Sequence, residues 1–152
     1  MALLEKKLEV KESTIPGAGM GLFTSEFIPK GTRIVEYKGR IRTWKDVKND
    51  DGNFYIFYVT RNHIIDANNY KKSVARYIND AAGLTRIKGL TNNAEFVRDG
   101  KRVFVDAKKN IPAGAEIFLS YGKDYWDVIR ENIKIDLMEK KKEEREAKRL
   151  AK

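Results

Sequence analysis

A short segment near the end of the strand-rich region decides the fold, and over residues 111–126 it reads IPAGAEIFLSYGKDYW. Its proline and first glycine indicate a turn, and the apolar run Ile117 to Leu119 that follows predicts a β-strand. The strand leads to Tyr121 and Gly122, and this glycine lets the phenol stand where the chain bends away. A tyrosine in a strand usually packs into a core, so the segment alone leaves the role of this side chain open.

An earlier loop carries three alternating glycines and reads IPGAGMGLF over residues 15–23. Such a loop either forms an ordinary turn or brings bare backbone close to a ligand. A dinucleotide-binding fingerprint would need its third glycine at the position of Leu22, and a phosphate-binding loop would need a following Gly-Lys-Ser/Thr, which is missing. The two common nucleotide-binding interpretations of the loop are therefore excluded.

Short β-type runs separated by turn residues fill most of the chain. The pair Asp99 and Gly100 indicates a hairpin turn between two of these runs. After Trp126, the apolar residues Ile133 and Leu137 continue a helical spacing that begins at Ile129, which predicts a C-terminal helix running into a charged tail. The predicted strands are Leu8–Lys11, Gly21–Thr24, Arg33–Glu36, Tyr55–Val59, His63–Ile65, Ala94–Val97, Arg102–Ala107 and Ile117–Leu119.

Composition narrows the possible partners without naming one. The chain has 152 residues, which is the length of a single domain, and its formal net charge of +9 suits a nucleic acid, an anionic membrane or an acidic protein. It has no cysteine, which excludes disulfides and cysteine-rich zinc sites, and its one histidine, His63, has no partner cluster. Because no signal-like or membrane-spanning run is present, we expect a cytoplasmic protein with no membrane partner.

Four segments in fixed order resemble the SET family of protein-lysine methyltransferases. They are Gly19–Gly21, Ile65–Ala67, Ala75–Asn79 and Glu116–Gly122, and residues 28–39 match the strand and turn that follow the glycine loop in that family. The resemblance covers roughly residues 8 to 126 and is to a compact, bare SET domain without cysteine-rich flanking zinc modules. It implies a mainly β fold with short helices, in which small curled sheets surround a pseudoknot, plus a C-terminal helix. The expected division is a SET-like catalytic domain at 1–126 and a helix with a charged tail at 127–152.

The same resemblance implies a cofactor, S-adenosylmethionine, with S-adenosylhomocysteine as the product and no metal. The glycine-loop backbone would hold the methionine part of the cofactor, and an asparagine would bind its amino end. The main chain of the residue after that asparagine would support the adenine, and an indole would cover the adenine ring, to which stacking is suited. The positions that match these roles are Ala18, Gly19, Met20, Gly21, Asn79, Asp80 and Trp126.

Tyr121 matches the family's catalytic tyrosine, whose hydroxyl would point at the lysine amine and the departing methyl group. With Tyr121, Tyr55 and Leu119 would line a narrow aromatic channel for the lysine of a protein or peptide, although Tyr55 suits cross-strand packing equally well. Methyl transfer from a sulfonium is an in-line displacement, which requires alignment and exclusion of water. A dry channel beside a cation favours the neutral amine, which is the form that attacks. Since Leu119 lacks a hydroxyl, addition of more than one methyl is expected.

Two departures from the family pattern leave alternatives open. The family commonly has Asn-His-Ser-Cys where this chain has Asn79-Asp80-Ala81-Ala82, and residues 83–90 form an insertion in which substrate choice could reside. One alternative is therefore a catalytically weakened SET-like module that binds a peptide without methylating it. Another is a basic nucleic-acid-binding protein. A methyltransferase could also use its charge to associate indirectly with proteins bound to nucleic acid. The oligomeric state is not indicated by the sequence.

Overall fold

The computed structural model describes residues 3–48, 55–68, 70, 73–83 and 85–151, without the side chains of residues 123, 124, 128 and 129. Leu84 of the insertion and the side chain of Ile129 therefore lie outside the described residues. The chain divides into two compact units, Met1–Ser120 and Tyr121–Lys152, and each is described by itself.

Small antiparallel sheets make up the described part of the first unit. A two-stranded sheet pairs β1 with β2, and two three-stranded sheets have the orders β3-β8-β7 and β4-β6-β5. A single turn of helix, α1, follows β4, and two short 3-10 turns lie at Glu5–Lys7 and Val74–Tyr77. The strands and helix are β1 (Leu8–Glu12), β2 (Met20–Thr24), β3 (Arg33–Glu36), β4 (Arg40–Arg42), α1 (Trp44–Val47), β5 (Ile56–Thr60), β6 (His63–Asp66), β7 (Ala94–Asp99) and β8 (Arg102–Ala107).

The strands agree with the sequence pattern to within one or two residues at each end. The hairpin between β7 and β8 is confirmed, with Asp99 paired to Arg102 and Gly100 in the left-handed region at φ 62°. The strand β4 and helix α1 were missed because each is only three or four residues long, too short to show a period.

The segment 116–119, called here the central segment, differs from prediction because it forms isolated bridges instead of a continuous strand. Its partners change almost residue by residue. The Ile117 amide donates to the Leu22 carbonyl at 2.8 Å, and the Leu119 amide donates to the Asn79 carbonyl at 3.0 Å. On the other side, the amide of Ala94 donates to the Phe118 carbonyl at 2.9 Å. The central segment thus passes between three distant stretches of chain, and no single neighbour can form a ladder with it.

This central position makes the segment part of the core. Ile117 and Leu119 are fully buried, and Phe118 packs with Ile15 and Ala81 in a smaller apolar cluster. Burying a side chain of this size contributes about 1.5–3 kcal/mol. The motif that decides the fold is therefore also a main source of its stability.

The second unit consists chiefly of one helix, α2, which spans Lys123–Leu150. It continues through the charged run, where Arg149 lies 3.6 Å from Glu146 in an i,i+3 ion pair. Ile133 and Leu137 of the predicted apolar stripe are 43% and 55% exposed. The division of the chain into a catalytic domain at 1–126 and a helix with a tail at 127–152 stays a prediction. Within the described part of the chain, no helix combines the length and apolar character needed to cross a membrane.

Candidate functional site

The glycine loop is an open turn whose two ends are held together. Gly17 and Gly19 have φ values of 77° and 74°, in the left-handed region that favours glycine, and a Cβ on either would meet nothing within 4 Å. The amide of Ser13 donates to the Gly19 carbonyl at 2.8 Å, which closes the neck of the loop. The side chain of Met20 is 47% exposed. The loop therefore presents backbone to solvent on a fixed base.

Asn79 connects this loop to the central segment. Its side-chain amide nitrogen, Nδ2, donates to the Met20 carbonyl at 2.9 Å, and its backbone carbonyl accepts from the Leu119 amide at 3.0 Å. The structure thus brings together three of the four family-like segments: the glycine loop, the segment that ends at Asn79, and the segment that contains Leu119. The first two hold predicted cofactor-binding residues, and Leu119 is a predicted channel residue.

Glu116 is a residue of this site that the sequence interpretation missed. Its side chain is buried, with only 5% of the residue exposed, and it lies at the start of the central segment. One carboxylate oxygen accepts from the Thr14 amide at 2.8 Å and the Thr14 hydroxyl at 2.7 Å. The other accepts from the Ser13 hydroxyl at 2.7 Å and Asn79 Nδ2 at 3.4 Å. A buried carboxylate needs such donors, because burial without them is strongly unfavourable.

The same carboxylate explains why residue 21 is a glycine. The backbone of Gly21 is not in the left-handed region, so its conformation is open to any residue. A Cβ there would overlap the Glu116 carboxylate and lie 3.3 Å from Asn79 Nδ2. Close approach, and not a turn, excludes a side chain at this position.

Asp80 uses its carboxylate within the chain. One oxygen, Oδ1, accepts from the Ala82 amide at 2.8 Å and from Asn92 Nδ2 at 3.0 Å. The side-chain oxygen of Asn92, Oδ1, in turn accepts from the Ala81 amide at 2.8 Å. These bonds close the base of the inserted segment, and Leu90 of the insertion packs against the cluster that contains Ile15.

Tyr55 and Leu119, the two predicted channel residues that lie in the first unit, have different surroundings. Leu119 is fully buried, whereas Tyr55 is 37% exposed and lies one residue before β5. The guanidinium carbon of Arg76 is 4.5 Å from the centre of the Tyr55 ring, a cation–π distance. Arg76 Nε is buried and has no hydrogen-bond partner among the described residues.

An aromatic group that was not predicted lies beside Tyr55. The hydroxyl of Tyr37 donates to the Tyr55 carbonyl at 2.8 Å, and its ring meets Phe96 edge-on with centroids 5.7 Å apart. Phe57 and Phe96 are also edge to face, at 5.0 Å. A tyrosine directly after a predicted strand was the available signal for Tyr37, but one such residue indicates packing as readily as a site.

Within the second unit, Tyr121 and Trp126 are neighbours. Their ring centroids are 5.8 Å apart with an interplanar angle of 14°, a stacked pair. Tyr125 meets both rings edge-on, at 4.8 Å from Tyr121 and 5.1 Å from Trp126. The start of the second unit is therefore an aromatic cluster that includes the predicted catalytic residue and the predicted adenine-covering residue.

A separate open cleft of about 260 Å³ lies in the first unit. Arg102 forms an ion pair with Glu36 at its edge, with 2.7 Å between Nη2 and Oε1. The hydrogen bond from Arg102 lowers the pKa of Glu36 below its usual value. Among the described residues, no group of His, Cys, Asp or Glu is placed to hold a metal ion. The cleft is lined by Glu36, Tyr37, Lys38, Gly39, Ile41, His63, Ile65, Tyr70, Lys101 and Arg102, none of which was predicted as a site residue.

Comparison with known proteins gives one family. The sequence model of the SET domain family matches residues 19–122. Histone-lysine N-methyltransferase ASHH3 of Arabidopsis thaliana is 29% identical over 120 residues, which is 70% of this chain and 31% of the plant protein. Histone-lysine N-methyltransferase set-17 of Caenorhabditis elegans is 31% identical over 127 residues, which is 76% of this chain and 41% of the nematode protein. The chain thus spans a third to two-fifths of the length of these relatives.

A solved structure shows the same fold. The methyltransferase domain of human PR domain-containing protein 2 superimposes with a TM-score of 0.59 at 22% identity, covering 79% of this chain and 82% of that one. The predicted fold of small curled sheets with a C-terminal helix is confirmed.

Proposed function

Because the chain belongs to the SET domain family, with the matched residues 19–122 covering most of it, we propose that it is an S-adenosylmethionine-dependent protein-lysine N-methyltransferase. The observation that carries the proposal is the set of bonds at Asn79. Through its side chain and its backbone, this residue joins the glycine loop to the central segment, with 2.9 Å to the Met20 carbonyl and 3.0 Å to the Leu119 amide. This contact between motifs that are far apart in sequence supports a cofactor site at the glycine loop.

The chemistry of these residues fits the amino-acid end of the proposed cofactor. Asn79 Nδ2 is used by two acceptors, whereas Asn79 Oδ1 receives no hydrogen bond from the described residues, which leaves an acceptor for an ammonium group. Gly19 and Met20 are exposed and a Cβ on Gly19 would meet nothing within 4 Å, so the loop backbone can approach a ligand closely. Ala18, Gly19, Met20 and Gly21 would hold the methionine part, and Asp80 and Trp126 would contribute to the adenine end.

The cofactor, when bound, would supply an activated methyl group on a sulfonium. We assign to Tyr121 the catalytic hydroxyl, on the sequence match alone, and to Tyr55 and Leu119 the lining of a narrow aromatic lysine channel. In this scheme Leu119, a fully buried apolar residue, would back the wall of the channel and give it an apolar lining. Such a lining would exclude water and favour the neutral amine of the substrate lysine. No metal is required by this scheme.

The substrate would be a lysine-containing protein. Histones are the first candidates, because both relatives are named for histone lysines. The formal charge of +9 would also favour substrates that lie near nucleic acid. A cytoplasmic location stays a prediction.

Calorimetry with S-adenosylhomocysteine, followed by mass spectrometry of histones and other lysine-bearing proteins incubated with S-adenosylmethionine, tests the proposal. We expect binding and mass increments of whole methyl groups on lysine. Tyr121→Phe should lower turnover by about 100-fold, as expected for loss of one proton-handling hydroxyl, with little change in cofactor affinity. Tyr58→Phe removes an exposed hydroxyl on β5 and serves as the matched control.

Three outcomes would contradict parts of this scheme. Equal activity of Tyr121→Phe and wild type would remove the assignment of the phenol. Cofactor binding without any methylated product would favour the peptide-binding module. Affinity for DNA or RNA that falls steeply with salt and exceeds any peptide affinity would favour the nucleic-acid-binding alternative.

A further inference from the structure

We propose that Glu116 is a positioning residue that holds the glycine loop in its ligand-binding shape, an inference that rests on the proposed cofactor role of the loop. Glu116 would not touch the cofactor. Its effect would pass through the loop backbone and through Asn79.

The bonds of Glu116 hold the loop at both of its ends. Directly before the loop, Ser13 and Thr14 donate three hydrogen bonds of 2.7–2.8 Å to the carboxylate. At the end of the loop, Asn79 Nδ2 lies 3.4 Å from the same carboxylate while donating to the Met20 carbonyl at 2.9 Å. The bond from the Ser13 amide to the Gly19 carbonyl, 2.8 Å long, closes the loop between these points.

The loop needs an anchor from outside because its glycines allow many backbone conformations. Two of its residues, Gly17 and Gly19, have positive φ and open space around them, and glycine loses more conformational freedom on ordering than any other residue. A loop that is ordered only on ligand binding weakens the apparent affinity, since that ordering opposes binding. A buried carboxylate that fixes both ends orders the loop beforehand.

Glu116 also fixes which way the Asn79 side chain faces. Nδ2 is directed towards two acceptors, the Met20 carbonyl and the Glu116 carboxylate, and the reversed amide would place Oδ1 against both of them. The carboxylate therefore keeps Oδ1 on the other side, where it can accept from an ammonium group.

The test is Glu116→Gln, which keeps the shape but replaces one acceptor oxygen with a donor. Titration with S-adenosylhomocysteine should give a dissociation constant raised by about 10- to 100-fold, as expected for the loss of one charge-assisted hydrogen bond or more. Amide hydrogen exchange at residues 14–20 should accelerate in the ligand-free protein. The KM for S-adenosylmethionine should rise in parallel while kcat at saturating cofactor stays within about threefold, since no transition-state contact is removed. A merely structural role would lower the melting temperature without this split between KM and kcat.

Two further variants make the result decisive. Thr14→Val removes one hydroxyl donor to the carboxylate. Because Thr14 is exposed, this variant should fold even if Glu116→Gln does not. It should raise the dissociation constant for S-adenosylhomocysteine by about 3- to 10-fold. Glu95→Gln alters an exposed carboxylate on β7 and should change nothing. Wild-type affinity for S-adenosylhomocysteine in both Glu116→Gln and Thr14→Val would overturn the inference and leave the proposed function intact. No binding by the wild-type protein would instead refute the proposed cofactor site, and the inference with it.

Discussion

Replacing Gly21 with alanine should be far more damaging than the addition of one methyl group suggests. The new Cβ would overlap the Glu116 carboxylate and approach Asn79 Nδ2 to 3.3 Å. The carboxylate cannot retreat without stretching its bonds to Ser13 and Thr14, which are 2.7–2.8 Å long. Losing one or two hydrogen bonds to a buried charged group, together with local overpacking, gives an expected loss of about 2–4 kcal/mol in the free energy of unfolding. For a chain of this length, that corresponds to a fall of roughly 10 °C in melting temperature.

A double-mutant cycle measured by urea unfolding isolates this contact. Glu116→Ala alone should also cost about 2–3 kcal/mol, because the partly buried hydrogen bonds from Ser13, Thr14 and Asn79 lose their acceptor. The double variant should cost little more than either single variant. Glu116→Ala removes the carboxylate with which the new Cβ of Gly21→Ala would overlap. Gly100→Ala is the matched control, because its Cβ meets nothing within 4 Å and its φ of 62° makes the cost one of backbone strain, about 1–2 kcal/mol. Its effect should add to that of Glu116→Ala. Strict additivity of Gly21→Ala and Glu116→Ala, within about 0.5 kcal/mol, would refute the reasoning.

Two other predictions concern the insertion and the acid response. Asp80→Ala should increase hydrogen exchange at residues 81–83 and 85–91, because the Ala82 amide and Asn92 lose a common acceptor, and unchanged exchange would contradict this anchoring role. Arg102 lowers the pKa of Glu36, and the amide and hydroxyl of Thr43 lower the pKa of Asp46, so both carboxylates stabilise the fold above their ordinary range. This stability should be lost as pH falls through the lowered values, below about 4, and Glu36→Gln should show a smaller fall in melting temperature between pH 7 and pH 3 than wild type.

Much of the fold follows from local patterns. The strands and the β7–β8 hairpin depend on neighbouring residues, so alternation of apolar residues and an Asp-Gly pair are enough to predict them. The C-terminal helix likewise follows from the spacing of residues such as Ile133 and Leu137. The central segment is different, because its isolated bridges to Phe23, Asn79 and Ala94 come from three parts of the chain. No periodicity reports such pairing, and the resemblance implied only that small sheets surround a pseudoknot.

The sequence marks Asn79 and the glycine loop through their motifs, whereas the contacts of Glu116 leave no such mark in the sequence. Asn79 lies in a recognisable segment, and the structure places it against the glycine loop. Glu116 lies in the same motif as Leu119, yet its role depends on Ser13 and Thr14, 103 and 102 positions away. An acid at a predicted strand start looks like a surface residue until its partners are known. The signal that could have found it is the pairing of that acid with two hydroxyl residues directly before a glycine loop.

The two departures from the family pattern, Asp80 and the insertion at residues 83–90, are linked by hydrogen bonds at the base of the insertion. Asp80 stands where a histidine is common, and the insertion follows it by three residues. A neutral imidazole offers one acceptor nitrogen in the plane of its ring, whereas a carboxylate oxygen can accept two bonds at once. Asp80 Oδ1 does so, taking the Ala82 amide at 2.8 Å and Asn92 Nδ2 at 3.0 Å from the two ends of the inserted segment. The acid at this position therefore closes the base of the longer loop. Because the acid has this structural role, its presence is not by itself evidence for the weakened-module alternative, and cofactor binding with or without methylated product decides between the two.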